Sequence, residues 1–447
     1  GRALAAPPAD FTPATLARRW LIAEATLLPL AATGPVIDDG TLILRAAEPR
    51  RLLRVEAATG ATRGEWPDQL ESQADTPGVD TRRVWSELFA VSDDVSADAR
   101  RPAADEQIIA VPVRGGLLAI GRGSWPGGGQ RLWTHGVAEW RDGPPLDAVV
   151  VTPAGVFVLA GPHRLLCLDP GDGSRRWERR FEPTPLERLH AVGDHIALQA
   201  RDGRIGLLAA ADGVELRWLP DERLAGAAAC GDTLIVWTAR EVRGLDPASG
   251  TPRWTQPLDG RSPTLLHERG WIAIPAAAAD GWRLHDAATG AVVGAGEFRP
   301  LPPDVLLLAA DNERILAVHG APAAPRLTAF DIDTGQAAWS TDIPADAIID
   351  ASQLAAHPHY IVLITSPPVP PATPAPLRLG LLDKRTGAGV ALPGPDGGSA
   401  VEWLTLDGLR AGSWSGAPLR VSVSNARVIV SVDGRVAAFG RGEGELP

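Results

Sequence analysis

Methionine is absent from this chain of 447 residues, and lysine, tyrosine and asparagine are nearly absent. Lys384 and Tyr360 are the sole lysine and tyrosine, and the two asparagines are Asn312 and Asn425. These residue types have codons rich in A and T, so their scarcity indicates a genome that is rich in G and C. Because no initiator methionine is present, we expect a processed or trimmed product.

Long apolar runs and an excess of positive charge are also missing. The longest apolar candidate, Leu21 to Ile37, contains Glu24 and Pro29, whereas a spanning helix needs roughly 20 apolar residues. Acidic residues number 54 against 43 basic ones, a formal net charge of -11. Such a surface repels nucleic acid phosphates and anionic lipids. We therefore expect no nucleic acid partner and no direct membrane span.

Cysteine is too scarce to form a disulfide framework. Cys167 and Cys230 are the two cysteines of the chain. We expect both to be small buried side chains, with a disulfide as the alternative in an exported protein. A zinc site lacks the clustered ligands that it requires.

What the sequence does contain is a repeated unit of short β-rich segments. The three best copies run from Arg164 to Trp177, from Val242 to Trp254 and from Arg326 to Trp339. Each has a strand that ends in Asp, a tight turn that ends in Gly, and a strand that carries Trp. Successive turn glycines lie about 40 residues apart, the length of a four-stranded propeller blade. These glycines are Gly173, Gly213, Gly250, Gly290, Gly335 and Gly387.

The turn has a physical explanation. Its Asp hydrogen-bonds the backbone of the turn, its Gly adopts a positive φ, and the Trp four residues later fills the wedge between neighbouring blades. We therefore predict structural roles for these residues in the best copies. They are Asp169, Gly173 and Trp177; Asp246, Gly250 and Trp254; and Asp331, Gly335 and Trp339.

The two ends of the chain complement each other. The unit from Ala426 to Gly440 has two strands and then runs out of chain. The N-terminal segment from Ala17 to Ala25 supplies an outer strand, with Trp20 in the repeated Trp position. We expect the terminal strands to pair and to close the fold, because closure removes exposed sheet edges.

These copies resemble the PQQ-like, or quinoprotein-like, repeat, whose strands, turn and tryptophan follow the same order. The resemblance extends over nearly the whole chain and implies an all-β, WD40-like β-propeller of four-stranded antiparallel blades. Nine units can be counted, and eight blades are usual for this repeat, so we expect eight blades, with nine as the alternative. The prediction is a single domain over residues 1–447, similar to the propeller subunit of the outer-membrane β-barrel assembly machinery.

The family also contains quinone-dependent dehydrogenases, which hold their cofactor with an adjacent pair of cysteines and bind calcium through Glu, Asn and Asp. Here no two cysteines are adjacent, and Asn312 and Asn425 are the only asparagines. We therefore expect no quinone, no other cofactor and no enzymatic activity. A quinone-dependent dehydrogenase remains an alternative.

Other motifs do not form a site. His357 and His359 begin no metal site without a third ligand. The segment from Asp331 to Gly335 lacks the ligand series of a calcium loop, and the glycines from Gly127 to Gly129 lack the Lys of a phosphate loop. We expect no catalytic and no metal-binding residues.

Two segments interrupt the repeat, and both are expected on one face of the propeller. An insertion over residues 67–105 contains the apolar residues Trp85, Leu88 and Phe89, and a proline-rich loop over residues 366–376 contains Pro368 and Pro371. We predict that these five residues bind a protein partner, since aromatic anchors dominate interfaces. The alternative is that the apolar residues cap the propeller channel.

The predicted function is a non-catalytic scaffold for protein–protein interactions in the cell envelope or a larger assembly. A ligand-binding sensor propeller is the first alternative, and the quinone-dependent dehydrogenase is the second. We expect a periplasmic or extracellular location, with a cytoplasmic one as the alternative.

Overall fold

The computed structural model describes the greater part of the repeat region and shorter segments elsewhere. The described residues are 17–23, 25–27, 29–30, 34–35, 37–38, 41–46, 51–56, 59–65, 103–104, 108–113, 116–121, 131–137, 139, 149–181, 185–219, 224–266, 269–275, 281–293, 301–310, 314–321, 323–348, 354, 359–365, 375–393, 400–411, 420–423, 427–432 and 435–440.

Apart from the single residues Glu139, Arg269 and Leu354, whose backbone is helical, the secondary-structure elements of these residues are β-strands. The first ten are β1 (Ala17–Ala23), β2 (Ala25–Leu27), β3 (Pro29–Leu30), β4 (Gly34–Pro35), β5 (Ile37–Asp38), β6 (Thr41–Ala46), β7 (Arg51–Glu56), β8 (Thr62–Glu65), β9 (Ala103–Ala104) and β10 (Ile108–Val113). The next ten are β11 (Gly116–Gly121), β12 (Arg131–Gly136), β13 (Val149–Thr152), β14 (Gly155–Leu159), β15 (Arg164–Leu168), β16 (Arg175–Arg180), β17 (Leu186–Val192), β18 (His195–Ala200), β19 (Ile205–Ala209) and β20 (Glu215–Trp218).

The third group is β21 (Gly226–Cys230), β22 (Thr233–Trp237), β23 (Glu241–Leu245), β24 (Pro252–Pro257), β25 (Thr264–Leu266), β26 (Trp271–Pro275), β27 (Trp282–Asp286), β28 (Val305–Ala310), β29 (Arg314–His319) and β30 (Arg326–Asp331). The last ten are β31 (Ala337–Asp342), β32 (Ala347–Ile348), β33 (Tyr360–Thr365), β34 (Ala375–Asp383), β35 (Leu392–Pro393), β36 (Ala400–Val401), β37 (Leu404–Ala411), β38 (Arg420–Val423), β39 (Arg427–Val432) and β40 (Arg435–Gly440).

The chain divides into two compact units. The first unit consists of residues 1–26, 58–60 and 261–447, and the second consists of residues 27–57 and 61–260. Both are built from antiparallel sheets in which most neighbouring strands are consecutive in the chain. The predicted all-β fold of four-stranded antiparallel sheets is confirmed.

The second unit contains four complete four-stranded sheets. They consist of β9–β12, β13–β16, β17–β20 and β21–β24. In the same unit, β6, β7 and β8 form a further sheet, with β5 paired to β6, and β3 pairs with β4. The sequence assigned residues 67–105 to an insertion. Ala103 and Ala104 at its end nevertheless form β9, which pairs with β10 and belongs to the sheet.

The first unit repeats this architecture. Strands β28–β31 form one four-stranded sheet, and β32, β33, β34 and β37 form another, while β25–β27 form a three-stranded sheet and β35 pairs with β36. Ala375 and Pro376, which the sequence assigned to the proline-rich loop, belong to β34 and pair with β37.

The N-terminal strand pairs with the C-terminal strand of the described residues. β1 is antiparallel to β40, with Trp20 opposite Ala438, and completes a four-stranded sheet with β39 and β38. The described residues thus form nine sheets of at least three strands, as many as the repeat units counted in the sequence. The number of blades and ring closure stay predictions.

The hydrophobic cores lie on the inner strands of the sheets. All five residues of β14 are buried, whereas β16, the fourth strand of the same sheet, is mostly exposed. The apolar run Gly-Val-Phe-Val-Leu suits a strand that is covered on both faces, as Phe157 and Leu166 illustrate in their common core cluster. The fourth strands therefore present a free edge and much of their side-chain surface to solvent.

Candidate functional site: turns and outer strands of the sheets

The five residues predicted to bind a partner lie outside the described residues. Trp85, Leu88 and Phe89 fall in the segment 66–102, and Pro368 and Pro371 fall in the segment 366–374. Their role stays a prediction. The surface that the structure does describe consists of the turns before the fourth strands and the fourth strands themselves.

The turns of the three best copies are organised by the carboxylate of their Asp. In the best-formed example, Asp246 Oδ1 accepts hydrogen bonds from the backbone N–H groups of Ala248 and Ser249 at 3.0 and 2.9 Å, and from Ser249 Oγ at 3.0 Å. The Gly250 N–H donates to the Asp246 carbonyl oxygen at 2.7 Å, and Gly250 has a φ of 65°. The turn therefore satisfies its own backbone donors, as expected for Asp followed by Ser and Gly.

The same geometry recurs at the other predicted turns. In the first unit, Asp331 Oδ1 accepts from the N–H of Thr334 at 3.0 Å, and Gly335 donates its N–H to the Asp331 carbonyl at 2.8 Å. In the second unit, Gly173 donates to the Asp169 carbonyl at 2.9 Å. One local rule thus builds turns in both compact units.

Tryptophan side chains pack on the turn of the sheet that follows in the chain. Trp177 on β16 donates its indole N–H to the carbonyl oxygen of Ala210 at 3.2 Å, and a Cβ on Gly213 would lie 2.8 Å from its ring. In the first unit, Trp339 on β31 donates in the same way to the carbonyl of Lys384 at 2.7 Å. Each indole therefore joins two sheets by an apolar contact and a hydrogen bond.

The third predicted tryptophan, Trp254, is 8% exposed and lies on β24. A Cβ on Gly244 of the neighbouring strand β23 would collide with its indole ring, so this glycine makes room for the ring. Trp254 is thus buried as a structural residue.

Arginines on the fourth strands pair with the turn carboxylates. Arg176 and Arg253 both occupy the bulged position of their strand, seven residues after Asp169 and Asp246. Each donates to the carboxylate of its Asp at 2.8 Å. The Arg253 hydrogen bond holds the pKa of Asp246 well below its usual range, with further contributions from Ser249. The Arg176 hydrogen bond likewise lowers the pKa of Asp169.

The sheet β17–β20 lacks both the turn Asp and the Arg of the fourth strand. Ala209 occupies the position of the turn Asp, and Leu216 occupies the bulged position of the Arg. The backbone turn is nevertheless kept, because the Gly213 N–H donates to the Ala209 carbonyl at 3.0 Å. The ion pair has therefore been replaced by two apolar residues without loss of the turn.

The tryptophan of this sheet is also displaced. Trp218 follows its turn glycine, Gly213, by five residues instead of four, so Arg217 packs against Gly250 of the next turn. Trp218 instead contacts Phe181, with ring centroids 6.1 Å apart, and lies beneath the guanidinium of Arg204.

The result is an exposed apolar residue on the outer strand, Leu216, and another in the turn before it, Val214. Val214 is 45% exposed and Leu216 is 40% exposed, and they are among the most exposed large hydrophobic residues of the described part of the chain. The sequence carried the signal, since this copy lacks both the turn Asp and the four-residue Gly-to-Trp spacing. The sequence predicts only a weak copy of the repeat here and no exposed surface.

The cysteine and histidine side chains of the described residues form no site. Cys167 and Cys230 are both free and buried, as expected, and burial raises the pKa of the Cys167 thiol to about 11. Among the described residues, no three His, Cys, Asp or Glu side chains converge to hold a metal. His359 is half-buried next to Tyr360, and His357 lies outside the described residues.

Sequence comparison assigns this architecture to a family. A family model described as outer membrane protein assembly factor BamB matches residues 123–270 and 221–446. The chain belongs to the BamB family. The repeated sheets are accordingly the blades of a β-propeller of the PQQ-like type.

Solved structures that are similar to this chain include proteins of different functions. BamB from Moraxella catarrhalis is 13% identical, with 95% of this chain and 99% of that chain covered and a TM-score of 0.43. Quinohemoprotein alcohol dehydrogenase from Comamonas testosteroni is 13% identical, with 97% and 78% covered and a TM-score of 0.45. The WD40 domain of SCAP from fission yeast is 11% identical, with 77% and 95% covered and a TM-score of 0.46. We draw no functional conclusion from likenesses at this level.

No curated protein matches the sequence of this BamB-family chain. In the described part of the chain, no helix has the length and apolar character needed to cross a membrane.

Proposed function

We propose that the chain is a non-catalytic scaffold that binds protein partners in an assembly of the bacterial cell envelope, in a periplasmic or extracellular location. The observation that carries the proposal is the match to the outer membrane protein assembly factor BamB over most of the repeat region. That description concerns assembly, and a scaffold of repeated blades suits it because the blades offer many separate binding surfaces.

The described surface supports the same proposal. The turn carboxylates are engaged by backbone donors and, at Asp169 and Asp246, by arginines of the same blade, so their chemistry serves the fold. Val214 in the turn and Leu216 on β20, by contrast, are exposed to solvent.

Affinity purification from the envelope of the source bacterium tests the proposal. The full chain is expected to co-purify with a defined set of proteins in fixed ratios after chemical cross-linking. Deletion of residues 67–102, which spares β9, and separately the double substitution Trp85→Ala and Phe89→Ala, should remove at least one of them. Deletion of residues 366–374, which spares β34, tests the second predicted segment separately. An unchanged set of proteins after all three changes contradicts the predicted binding segments.

The two alternatives have direct assays. Reconstitution with pyrroloquinoline quinone and calcium, followed by dye reduction with alcohol and aldose substrates, tests for a dehydrogenase. A thermal-shift screen with small molecules tests for a ligand sensor. Turnover in the first assay contradicts the scaffold proposal, and a saturable shift in the second identifies a sensor.

Cell fractionation tests the location. Under the proposal the native protein is released with the periplasmic or surface fraction, together with envelope markers. Recovery with cytoplasmic markers contradicts this part of the proposal.

A further inference from the structure

Neighbouring sheets of the second unit are joined by a second contact besides the tryptophan. In sheet β13–β16, Arg179 lies two residues after Trp177 and donates from Nε to the carbonyl oxygen of Gly213 at 2.8 Å. It also donates from Nη2 to the carbonyl oxygen of Asp212 at 3.1 Å. Both acceptors belong to the turn of sheet β17–β20 on which Trp177 packs. The indole and the guanidinium therefore hold the same turn.

A histidine occupies the equivalent position at the preceding junction. His135 on β12 lies two residues after Trp133, and its Nδ1 is 3.2 Å from the carbonyl oxygen of Gly173. Trp133 packs on the same turn, because it donates its indole N–H to the Pro170 carbonyl at 2.8 Å. A carbonyl oxygen only accepts hydrogen bonds, so Nδ1 of the neutral imidazole is the donor. His135 thus joins β9–β12 to β13–β16 as Arg179 joins the next two sheets.

The two kinds of donor differ in how they titrate. A guanidinium stays charged in neutral and acidic solution, whereas an imidazole gains its charge between about pH 5 and 8. Where β17–β20 meets β21–β24 the donor is again an arginine, since Arg217 donates from Nη1 to the carbonyl oxygen of Ser249. Of these three donors, His135 is the one that titrates in mild acid.

The surroundings of His135 disfavour a second proton on its ring. The ring is half-buried, and this burial is the largest cause that lowers the pKa of His135. The Gly173 carbonyl raises the pKa, whereas the guanidiniums of Arg164 and Arg175 lower it further. The charged ring is therefore less stable in the folded protein than in water.

Carboxylates around this junction are bonded to groups other than His135. They are the side chains of Glu139, Glu178, Asp169 and Asp172. Glu139 pairs with Arg164, and Glu178 pairs with both Arg164 and Arg175. The two aspartates accept hydrogen bonds from backbone N–H groups of their own turn, and Asp169 also pairs with an arginine of β16. A charged His135 would thus meet two guanidiniums whose carboxylate partners are already engaged.

We propose that the junction between β9–β12 and β13–β16 is an acid-sensitive latch, in which protonation of His135 places a charge between the two sheets and loosens the contact of β12 with the turn from Asp169 to Ser174. The junctions that Arg179 and Arg217 hold stay closed over the same range of pH. This inference goes beyond the scaffold proposal and does not depend on it.

The direction of the pH dependence is set by the state that binds the proton more tightly. The pKa of His135 in the folded protein is lower than its ordinary value of 6.5. The opened junction, in which the ring is solvated, therefore takes up the proton first as the pH falls below that value. The closed junction is fully favoured above this pH and weakens as the pH falls through the folded pKa.

Hydrogen exchange of the full chain between about pH 7.5 and about pH 5, corrected for the intrinsic exchange rate, tests the proposal. The amide of Gly173 donates to the Asp169 carbonyl and reports on the His135 junction. The amide of Gly213 donates to the Ala209 carbonyl and reports on the junction that Arg179 holds. Protection at the first turn is expected to fall about threefold or more relative to the second as the pH is lowered.

Two substitutions separate the titration of His135 from its hydrogen bond. His135→Arg gives this junction the donor of the next one, and His135→Gln leaves a donor that stays uncharged, so both should remove the relative fall in protection. His195→Gln, at a half-buried histidine on β18, is the matched control and should leave the fall unchanged. Urea midpoints at neutral pH verify that each variant is folded.

An NMR titration of the histidine ring protons tests the wild type directly, with His135 assigned by the signal that His135→Gln lacks. Its midpoint in the folded protein is expected to be lower than in the urea-unfolded chain, and an equal or higher midpoint overturns the proposal. Protection that changes in parallel at the two turns also overturns it. So does a relative fall that persists in both His135 variants or disappears in His195→Gln.

Discussion

Trp177 donates its indole N–H to the carbonyl oxygen of Ala210, and its ring covers Gly213 of the same turn. A tryptophan of one blade thus fixes the turn of the next blade. The repeat is therefore a chain of local contacts, and each contact can be tested separately from the function.

Gly213→Ala should destabilise the protein more than Gly231→Ala. Both glycines have a positive φ, 67° and 56°, so both alanines cost about 1 kcal/mol in the backbone. A Cβ on Gly213 would also lie 2.8 Å from Trp177, whereas nothing lies within 4 Å of one on Gly231. Overpacking adds about 1–3 kcal/mol. Urea unfolding measures both free energies, and equal losses would contradict the packing of Trp177 on the turn.

Trp339→Phe should lower the free energy of unfolding by about 1 kcal/mol more than the lost apolar area alone would. The phenylalanine keeps a ring but has no N–H to donate to the Lys384 carbonyl. The Lys384 carbonyl is then left without this donor. Thermal unfolding measures the loss. The comparison is Trp237→Phe in the second unit. Its free energy of unfolding is expected to fall only by the contribution of the lost apolar area. An equal change in the two variants would argue against the hydrogen bond.

The ion pair of Asp246 and Arg253 should make stability depend on pH in the acidic range. The Arg253 hydrogen bond lowers the pKa of Asp246 in the folded protein. A carboxyl with a lowered pKa stabilises the fold above its unfolded value of about 3.9, and this contribution is lost as the pH falls through the folded value. Asp246→Asn should therefore flatten the fall in urea midpoint below about pH 4.

The control for this prediction is Arg253→Gln, which leaves the carboxylate but removes its cationic partner. It should reduce the pH dependence without abolishing it, because Ser249 still donates to Asp246. Identical acid profiles for wild type and Asp246→Asn would show that the pair does not contribute.

Ala209→Asp and Leu216→Arg together should install in β17–β20 the ion pair that β13–β16 and β21–β24 already have. A double-mutant cycle is expected to give a favourable coupling of about 0.2–1 kcal/mol, the range of exposed ion pairs. Additive single effects, with no coupling, would mean that the bulged position does not place the two side chains together.

Native protein should react with a thiol reagent at neither cysteine. Cys167 and Cys230 are buried, and the pKa of Cys167 is raised to about 11, so little thiolate is available. Unfolding in urea should release two reactive thiols. Rapid reaction of the native protein, or no thiol after unfolding without reductant, would contradict the described state of the cysteines.

The repeat could be predicted from the sequence because its turns obey local rules. Asp246, Gly250 and the spacing to Trp254 identify a turn and its strands without any knowledge of the tertiary contacts. The pairing of β1 with β40 could also be predicted, because an incomplete unit at one end needed a strand and the other end supplied one.

The exposed surface of β20 could not be predicted in the same way. In the sequence, Ala209 and Leu216 only make this copy a weak repeat. Their equivalence to the Asp and Arg of an ion pair depends on the bulge, which places Leu216 at the position that Arg253 has in another blade. That correspondence is a property of the paired strands. The predicted binding residues, such as Trp85 and Pro368, had no repeat neighbours to constrain them, since they belong to insertions.

The most direct measurement for the proposed function is the composition of the native complex from the bacterial envelope, with and without residues 67–102, a deletion that spares β9. We predict that the intact chain sediments with partner proteins in fixed ratios and that the deletion variant, still folded, loses at least one of them. A chain that sediments without other proteins and turns over an alcohol after addition of quinone and calcium would contradict the proposal that it is a scaffold.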